Sequence, residues 1–107
     1  MKIILKSKQK LHYAEADYSN TGTVTVFKGS KINPVDSFPK MSSDALKARK
    51  DLSIVDANGN VKKDVIFNSP STAAQFVTGR SSNGYIAWRP DDKMSLKEYL
   101  KNMKTDK

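Results

Sequence analysis

The feature that most constrains this chain is the recurrence of Asn/Gly turn formers between short β-branched and aromatic runs. Ser19-Asn20-Thr21-Gly22 separates the runs Leu11–Tyr18 and Thr23–Lys28. Both runs carry residues that suit a pleated, half-buried surface, so they are expected to pair as a hairpin. Within the second run Val24 and Val26 share one face and Thr23, Thr25 and Phe27 the other; the valine face is expected to meet the core. Leu52–Ala57 and Val61–Phe67 flank Asp56-Ala57-Asn58-Gly59, and Asn-Gly suits a two-residue turn with positive φ at both central positions, so a second hairpin is expected. Asn83-Gly84 then leads into Tyr85-Ile86-Ala87-Trp88-Arg89, read as a strand that Pro90-Asp91-Asp92 ends.

Helix signals lie between these runs. Gly29 to Lys40 contains Gly, Asn and two Pro and reads as a loop, after which Ser42 or Ser43 can cap a helix running to Leu52. Its stripe is Ala45, Leu46, Arg49 and Leu52, with the arginine at the edge. Ser69 can cap the next helix, Pro70 fits its first position, where an N–H has no partner anyway, and Gly79 can close it. Ala73, Ala74, Phe76 and Val77 form its apolar face. Ser95-Leu96-Lys97-Glu98 is a capping-box pattern before Leu96, Tyr99, Leu100 and Met103, with fraying expected after Lys104. The predicted order is β-β-α-β-β-α-β-α, with room for one more strand at Lys2–Leu5. Hairpins outnumber crossovers, which gives an α+β class: a mainly antiparallel sheet of hairpins with about three helices packed on it. A chain of 107 residues has length for one such domain and one core.

The residues available for chemistry are few. There is no cysteine, which removes thiolate catalysis, disulfides and sulfur-ligated zinc, and a reducing cytoplasm fits. His12 is the single histidine, so no two-histidine metal site can form, and as a lone strand residue it is expected to be structural. Asp91-Asp92 reads as turn chemistry, and no nucleophile elbow, phosphate-binding Gly-rich loop or dinucleotide fingerprint occurs. The expectation is a non-catalytic protein without metal or cofactor. The first residues place lysines on both sides of three apolar ones, far short of a signal-peptide core or a membrane span.

Charge points to a partner. Nineteen Lys and Arg against eleven Asp and Glu leave a net charge of +8, which favours polyanions: nucleic acid first, an acidic protein or anionic surface second. Basic residues are densest at Lys2–Lys10, Lys47–Lys50 and Lys97–Lys107. Arg80-Ser81-Ser82-Asn83-Gly84 gathers an arginine, two hydroxyls and an amide in one turn, with Trp88-Arg89 just beyond. Arg and Asn can read phosphates or base edges, and a tryptophan can stack. Trp88 has an equally simple reading as a core residue, and Asn83-Gly84 as a plain turn. Lys28-Gly29-Ser30-Lys31 leaves a strand through glycine with two cations and backbone donors, suited to a phosphate, unless Gly29 simply supplies a positive φ. The candidate surface is therefore Lys28, Ser30, Lys31, Arg80, Ser81, Asn83, Trp88 and Arg89.

Three stretches carry a family resemblance: Gly22-Thr23-Val24-Thr25-Val26-Phe27-Lys28-Gly29-Ser30, Asp64-Val65-Ile66-Phe67-Asn68-Ser69-Pro70-Ser71-Thr72-Ala73-Ala74, and Gly79-Arg80-Ser81-Ser82-Asn83-Gly84-Tyr85-Ile86-Ala87-Trp88. They resemble the domain-of-unknown-function family numbered 4357 over about Ala14 to Leu96. Tyr85 stands where the pattern usually has Trp, and Lys93 where Gly is often found. That family is similar to the restriction-enzyme adenine-methylase-associated domain, a proposed reader of DNA, and is often appended to GIY-YIG-type nucleases. The resemblance implies nucleic acid, DNA before RNA, and a nuclease or methylase partner; no nuclease segment precedes the module, so it is either an excised domain or a freestanding one. The leading expectation is a nucleic-acid-binding accessory module of a restriction or DNA-processing context. The alternative is a protein-interaction domain docking an acidic partner.

Overall fold

The computed structural model describes residues 1–7, 11–34, 41–91 and 93–105. Four strands, β1 (Lys2–Lys6), β2 (Tyr13–Tyr18), β3 (Val24–Val26) and β4 (Val65–Phe67), form one sheet in the order β1-β2-β3-β4, antiparallel throughout. Among the described residues four helices, α1 (Ser43–Lys50), α2 (Pro70–Thr78), α3 (Gly84–Ala87) and α4 (Leu96–Thr105), complete the α+β architecture. The optional N-terminal strand is real, and it forms the outer edge of the expected first hairpin.

Alternation decides which face of the sheet is covered. Ile3, Leu5, Ala14, Ala16, Val24, Val26 and Phe67 are buried and share one face, and α2 packs across it with Ala73, Ala74, Phe76 and Val77. Small alanines let the helix backbone approach the strands, and Phe67 and Phe76 meet there with ring centroids 5.0 Å apart. The valine face of β3 is thus the inward one, as its pattern implies.

Local chemistry sets the helix ends. Ser42 Oγ accepts from the Ala45 N–H at 3.3 Å, and Ser69 Oγ from the Thr72 N–H at 3.2 Å with Pro70 at the first position. Gly79 ends α2 at φ 77°, a left-handed conformation that glycine adopts without steric cost. Ser95 and Glu98 form the reciprocal capping box at 3.3 and 3.2 Å. Arg49 earns its place in the α1 stripe: its guanidinium donates to the Phe76 carbonyl at 2.7 Å, near the C-terminus of α2, and to the Asn33 carbonyl.

Three expectations need correction. Tyr85–Arg89 is not a strand: Asn83 Oδ1 accepts from the Tyr85 N–H at 3.0 Å and starts the helical turn α3, leaving only Arg89 to pair, with Ile4 of β1. The second hairpin shrinks to a bridge between Val55 and Val61, because the Asp56 carboxylate takes the N–H groups of Asn58 and Asn60 and closes the turn locally, while β4 pairs with β3 instead. Helix α1 stops at Lys50, since Asp51 turns out to bond Ser53, and Leu52 is 72% exposed rather than part of a buried stripe. The expected Met103 contact, Asp92 and the last two residues lie outside the described part.

Candidate nucleic-acid interface

The sheet face opposite α2 carries exposed and half-buried side chains, and strand register places them in rows. Directly opposed residues share a face, with Cβ atoms about 4.5–5.5 Å apart. Lys6 of β1 pairs with Tyr13 of β2, Tyr13 with Lys31, and Lys31 with Asn60. Tyr13, 44% exposed, therefore sits between two lysines in one row. The neighbouring row is Arg89, Ile4, Glu15 and Phe27: Arg89 and Ile4 exchange both backbone hydrogen bonds at 2.9 Å, Ile4 opposes Glu15, and the Phe27 N–H donates to the Glu15 carbonyl at 2.9 Å.

Acids on this face are largely matched. Glu15 holds the Lys2 ammonium at 2.8 Å and accepts from the Tyr13 hydroxyl at 3.1 Å. Those bonds, Lys2 first, hold its carboxyl below the usual range and raise the lysine. Asp17 pairs with the chain's terminal ammonium at 2.8 Å. Lys31 is exposed on the far side of Tyr13 from Lys6, and Arg89 lines a small recess with Ile4, Lys6, Ala87 and Asp91.

Between Phe27 and Lys31 the chain bulges outward. Gly29 adopts φ 93° and donates to the Val61 carbonyl at 2.9 Å, while Ser30 Oγ accepts from the Glu15 N–H at 3.1 Å, closing the gap in the ladder. Ser30 is buried by that task and is removed from the candidate surface. Lys28 is exposed at the rim of a recess with Tyr13, Glu15 and Phe27.

Arg80 lies near the ends of β1 and β2 marked by Ser7 and His12. It lines a cleft of about 420 Å³ with Leu5, Lys6, Ser7, His12, Thr78, Ser82 and Ala87, and no carboxylate is among these residues. His12 is 7% exposed, and its Nδ1 has no hydrogen-bond partner among the described residues. Burial, then the nearby Arg80, pushes its pKa below the ordinary 6.5, so the ring is neutral near pH 7. Lys6 lines both this cleft and the Arg89 recess and joins the two. Ser81 and Asn83 are exposed nearby, although the Asn83 side chain caps α3.

Trp88 is the second residue lost from the candidate surface. It is fully buried, and its Nε1 donates to the Pro70 carbonyl at 3.0 Å. Gly84 N–H donates to Ser71 Oγ at 3.0 Å, and a Cβ on Gly84 would stand 2.0 Å from the Pro70 carbonyl carbon. The Ser-Pro-Ser, Asn-Gly and Trp positions, separated in sequence, thus meet at one point. The family profile described as a domain of unknown function, DUF4357, matches residues 4–100.

The chain belongs to the DUF4357 family. No curated protein and no solved structure is significantly similar to it. In this DUF4357 chain the shared pattern reports architecture: its residues dock α2, α3 and Trp88 on one another. Of the two departures, Tyr85 is exposed on α3, and Lys93 N–H donates to Asp91 Oδ1 at 2.7 Å in a turn. Cations outside the pattern, Lys6 and Lys31, with Tyr13, face outward on the open sheet. Sequence reading did not single out Lys6, Tyr13 and His12 as candidate site residues; the alternation Lys2/Ile4/Lys6 against Ile3/Leu5 carries the signal, but only the β1–β2 register turns it into a surface. Among the described residues no group of three His, Asp or Glu comes together to hold a metal, and no helix is long and apolar enough to cross a membrane.

Proposed function

We propose that this DUF4357 chain is a non-catalytic nucleic-acid-binding module, DNA before RNA, serving a DNA-processing or restriction system, with the open sheet face as its contact surface. The observation that carries the reading is the row Lys6–Tyr13–Lys31 beside Arg89: an exposed ring between two cations, with a third in the next row. Aromatic rings stack bases without regard to sequence while flanking cations follow the phosphates, and the net charge of +8 adds attraction from a distance. Lys28 and Arg80 extend the surface at two of its margins.

Docking of an acidic protein is the second reading. It is favoured by Ile66, 69% exposed on the same face, where an apolar side chain suits a protein partner better than a phosphate backbone. Titration of single-stranded and duplex DNA at two salt concentrations separates the readings. Binding that weakens steeply with salt supports nucleic acid; no binding to either form at low salt leaves the protein partner.

A further inference from the structure

We propose that the cleft between Lys6, His12 and Arg80 is a phosphate-binding pocket in which the His12 imidazole is a direct ligand. The inference rests on the nucleic-acid reading only for what carries the phosphate. Four features of the cleft converge on that chemistry. Two basic residues line it from separate elements, Lys6 at the end of β1 and Arg80 in the turn after α2. Hydroxyls of Thr78 and Ser82, bonded to each other at 2.9 Å, stand on the same wall. Among the described residues no acidic side chain lines the cleft to repel an anion. The fourth feature is the orphan: buried polar atoms are almost always hydrogen-bonded, and His12 Nδ1 has no partner among the described residues.

An anion supplies what that nitrogen lacks. A tetrahedral phosphate presents acceptor oxygens in several directions, which suits donors arriving from β1, from the residue preceding β2 and from the turn after α2. A planar carboxylate could engage Arg80 but would have fewer oxygens for the remaining donors. The volume, about 420 Å³, exceeds a single ion and leaves room for an attached group; pockets for small ligands span roughly 300–1,000 Å³. Because burial and then Arg80 disfavour the imidazolium in the free protein, and no carboxylate among the described lining residues opposes them, a bound anion tips the ring back toward its protonated form. Occupancy is therefore coupled to proton uptake at His12.

His12 is the chain's single histidine, so its ring resonances in an NMR spectrum need no assignment by elimination. Titration of the whole chain with sodium phosphate, with sulfate as an anion that does not titrate near neutral pH and chloride as the ionic-strength control, is expected to move the His12 signals saturably and to raise the ring's titration midpoint. Arg80→Gln, an exposed position whose hydrogen bonds within the fold come from its backbone, is expected to weaken the response at least tenfold, and Lys6→Gln to weaken it as well. A response equal to that of chloride, or one undiminished in Arg80→Gln, overturns the pocket.

Oligonucleotides with a 5′-phosphate and a 5′-hydroxyl form the second arm. His12 moving with the phosphorylated strand alone identifies a terminal phosphate, and moving with both identifies a backbone phosphate. Oligonucleotide binding with His12 silent to both oligonucleotide and phosphate overturns the pocket but leaves the sheet surface standing. Phosphate moving His12 while no oligonucleotide binds upholds the pocket and removes the nucleic-acid reading.

Discussion

The indole Nε1 of Trp88 donates a hydrogen bond to the Pro70 carbonyl across 3.0 Å, inside the core and eighteen residues away in sequence. It fixes the chain leaving α3 against the first turn of α2. Trp88→Phe keeps an aromatic ring but removes the donor and leaves a void, so a loss of about 2 kcal/mol in urea unfolding is expected. DNA affinity of the folded mutant should stay within twofold of the parent. The parent's tryptophan emission should likewise remain blue-shifted when DNA is added, since no base can reach the ring.

Gly84 is needed for space and not for an unusual φ. Its missing Cβ would stand 2.0 Å from the Pro70 carbonyl carbon and 2.3 Å from the Ser71 nitrogen, backbone atoms that cannot swing aside. Gly84→Ala is expected to cost about 3 kcal/mol or more by forcing α3 off α2. Gly22→Ala is the comparison: its φ is 90° but nothing lies within 4 Å, so only the left-handed strain of about 1 kcal/mol applies. Equal unfolding midpoints for the two variants would contradict the close-approach account.

Ser69 contributes the cap of α2, accepting from Thr72 N–H and donating to Thr72 Oγ1 at 3.0 Å. Ser69→Ala should lower stability by about 1 kcal/mol, read from thermal or urea unfolding. An unchanged midpoint would remove capping as the reason for the Ser-Pro pair.

His12 gives the fold a pH dependence of defined sign. Its folded pKa lies below the ordinary 6.5, so the unfolded chain binds more protons between those values. The stability that comes from the neutral ring is complete above pH 6.5 and is lost as pH falls through the folded pKa. Unfolding free energy should therefore decline from pH 7 toward pH 5, and His12→Gln should flatten that part of the profile. A profile of the same slope in the mutant would place the effect on other groups.

Much of the architecture was legible in the sequence because its signals are local. Caps at Ser42, Ser69 and Ser95, the stop at Gly79 and the inward valines of β3 each depend on a few neighbouring residues. What failed depended on distant ones. Tyr85–Arg89 has a strand's composition, yet the contact of Gly84 with Pro70 and Ser71, together with the Asn83 cap, makes it a helical turn. Of the candidate surface, the charged positions Lys28, Lys31, Arg80 and Arg89 lie at or beside the open face and its adjoining cleft, because long cations stay solvated wherever the backbone takes them. Ser30 and Trp88 went inward, each drawn by a hydrogen bond to backbone far away in sequence. Lys6 and Tyr13 became neighbours of Lys31 only through pairing across β1, β2 and the bulge after β3, which no single run of residues announces.

The central claim is that nucleic acid contacts the open sheet face. The most direct measurement is the salt dependence of DNA affinity for the triple variant Lys6→Ala, Lys31→Ala and Arg89→Ala, beside a control that removes three lysines from helices α1 and α4: Lys47→Ala, Lys97→Ala and Lys101→Ala. Both lose the same charge. The sheet-face variant should bind more weakly and reduce the slope of log affinity against log salt by roughly 2–3, since each lost phosphate contact removes about 0.9 on duplex DNA. The helix control should keep a slope near that of the parent. Equal losses in the two variants would mean diffuse attraction to a basic protein, and would contradict the assignment of the sheet face.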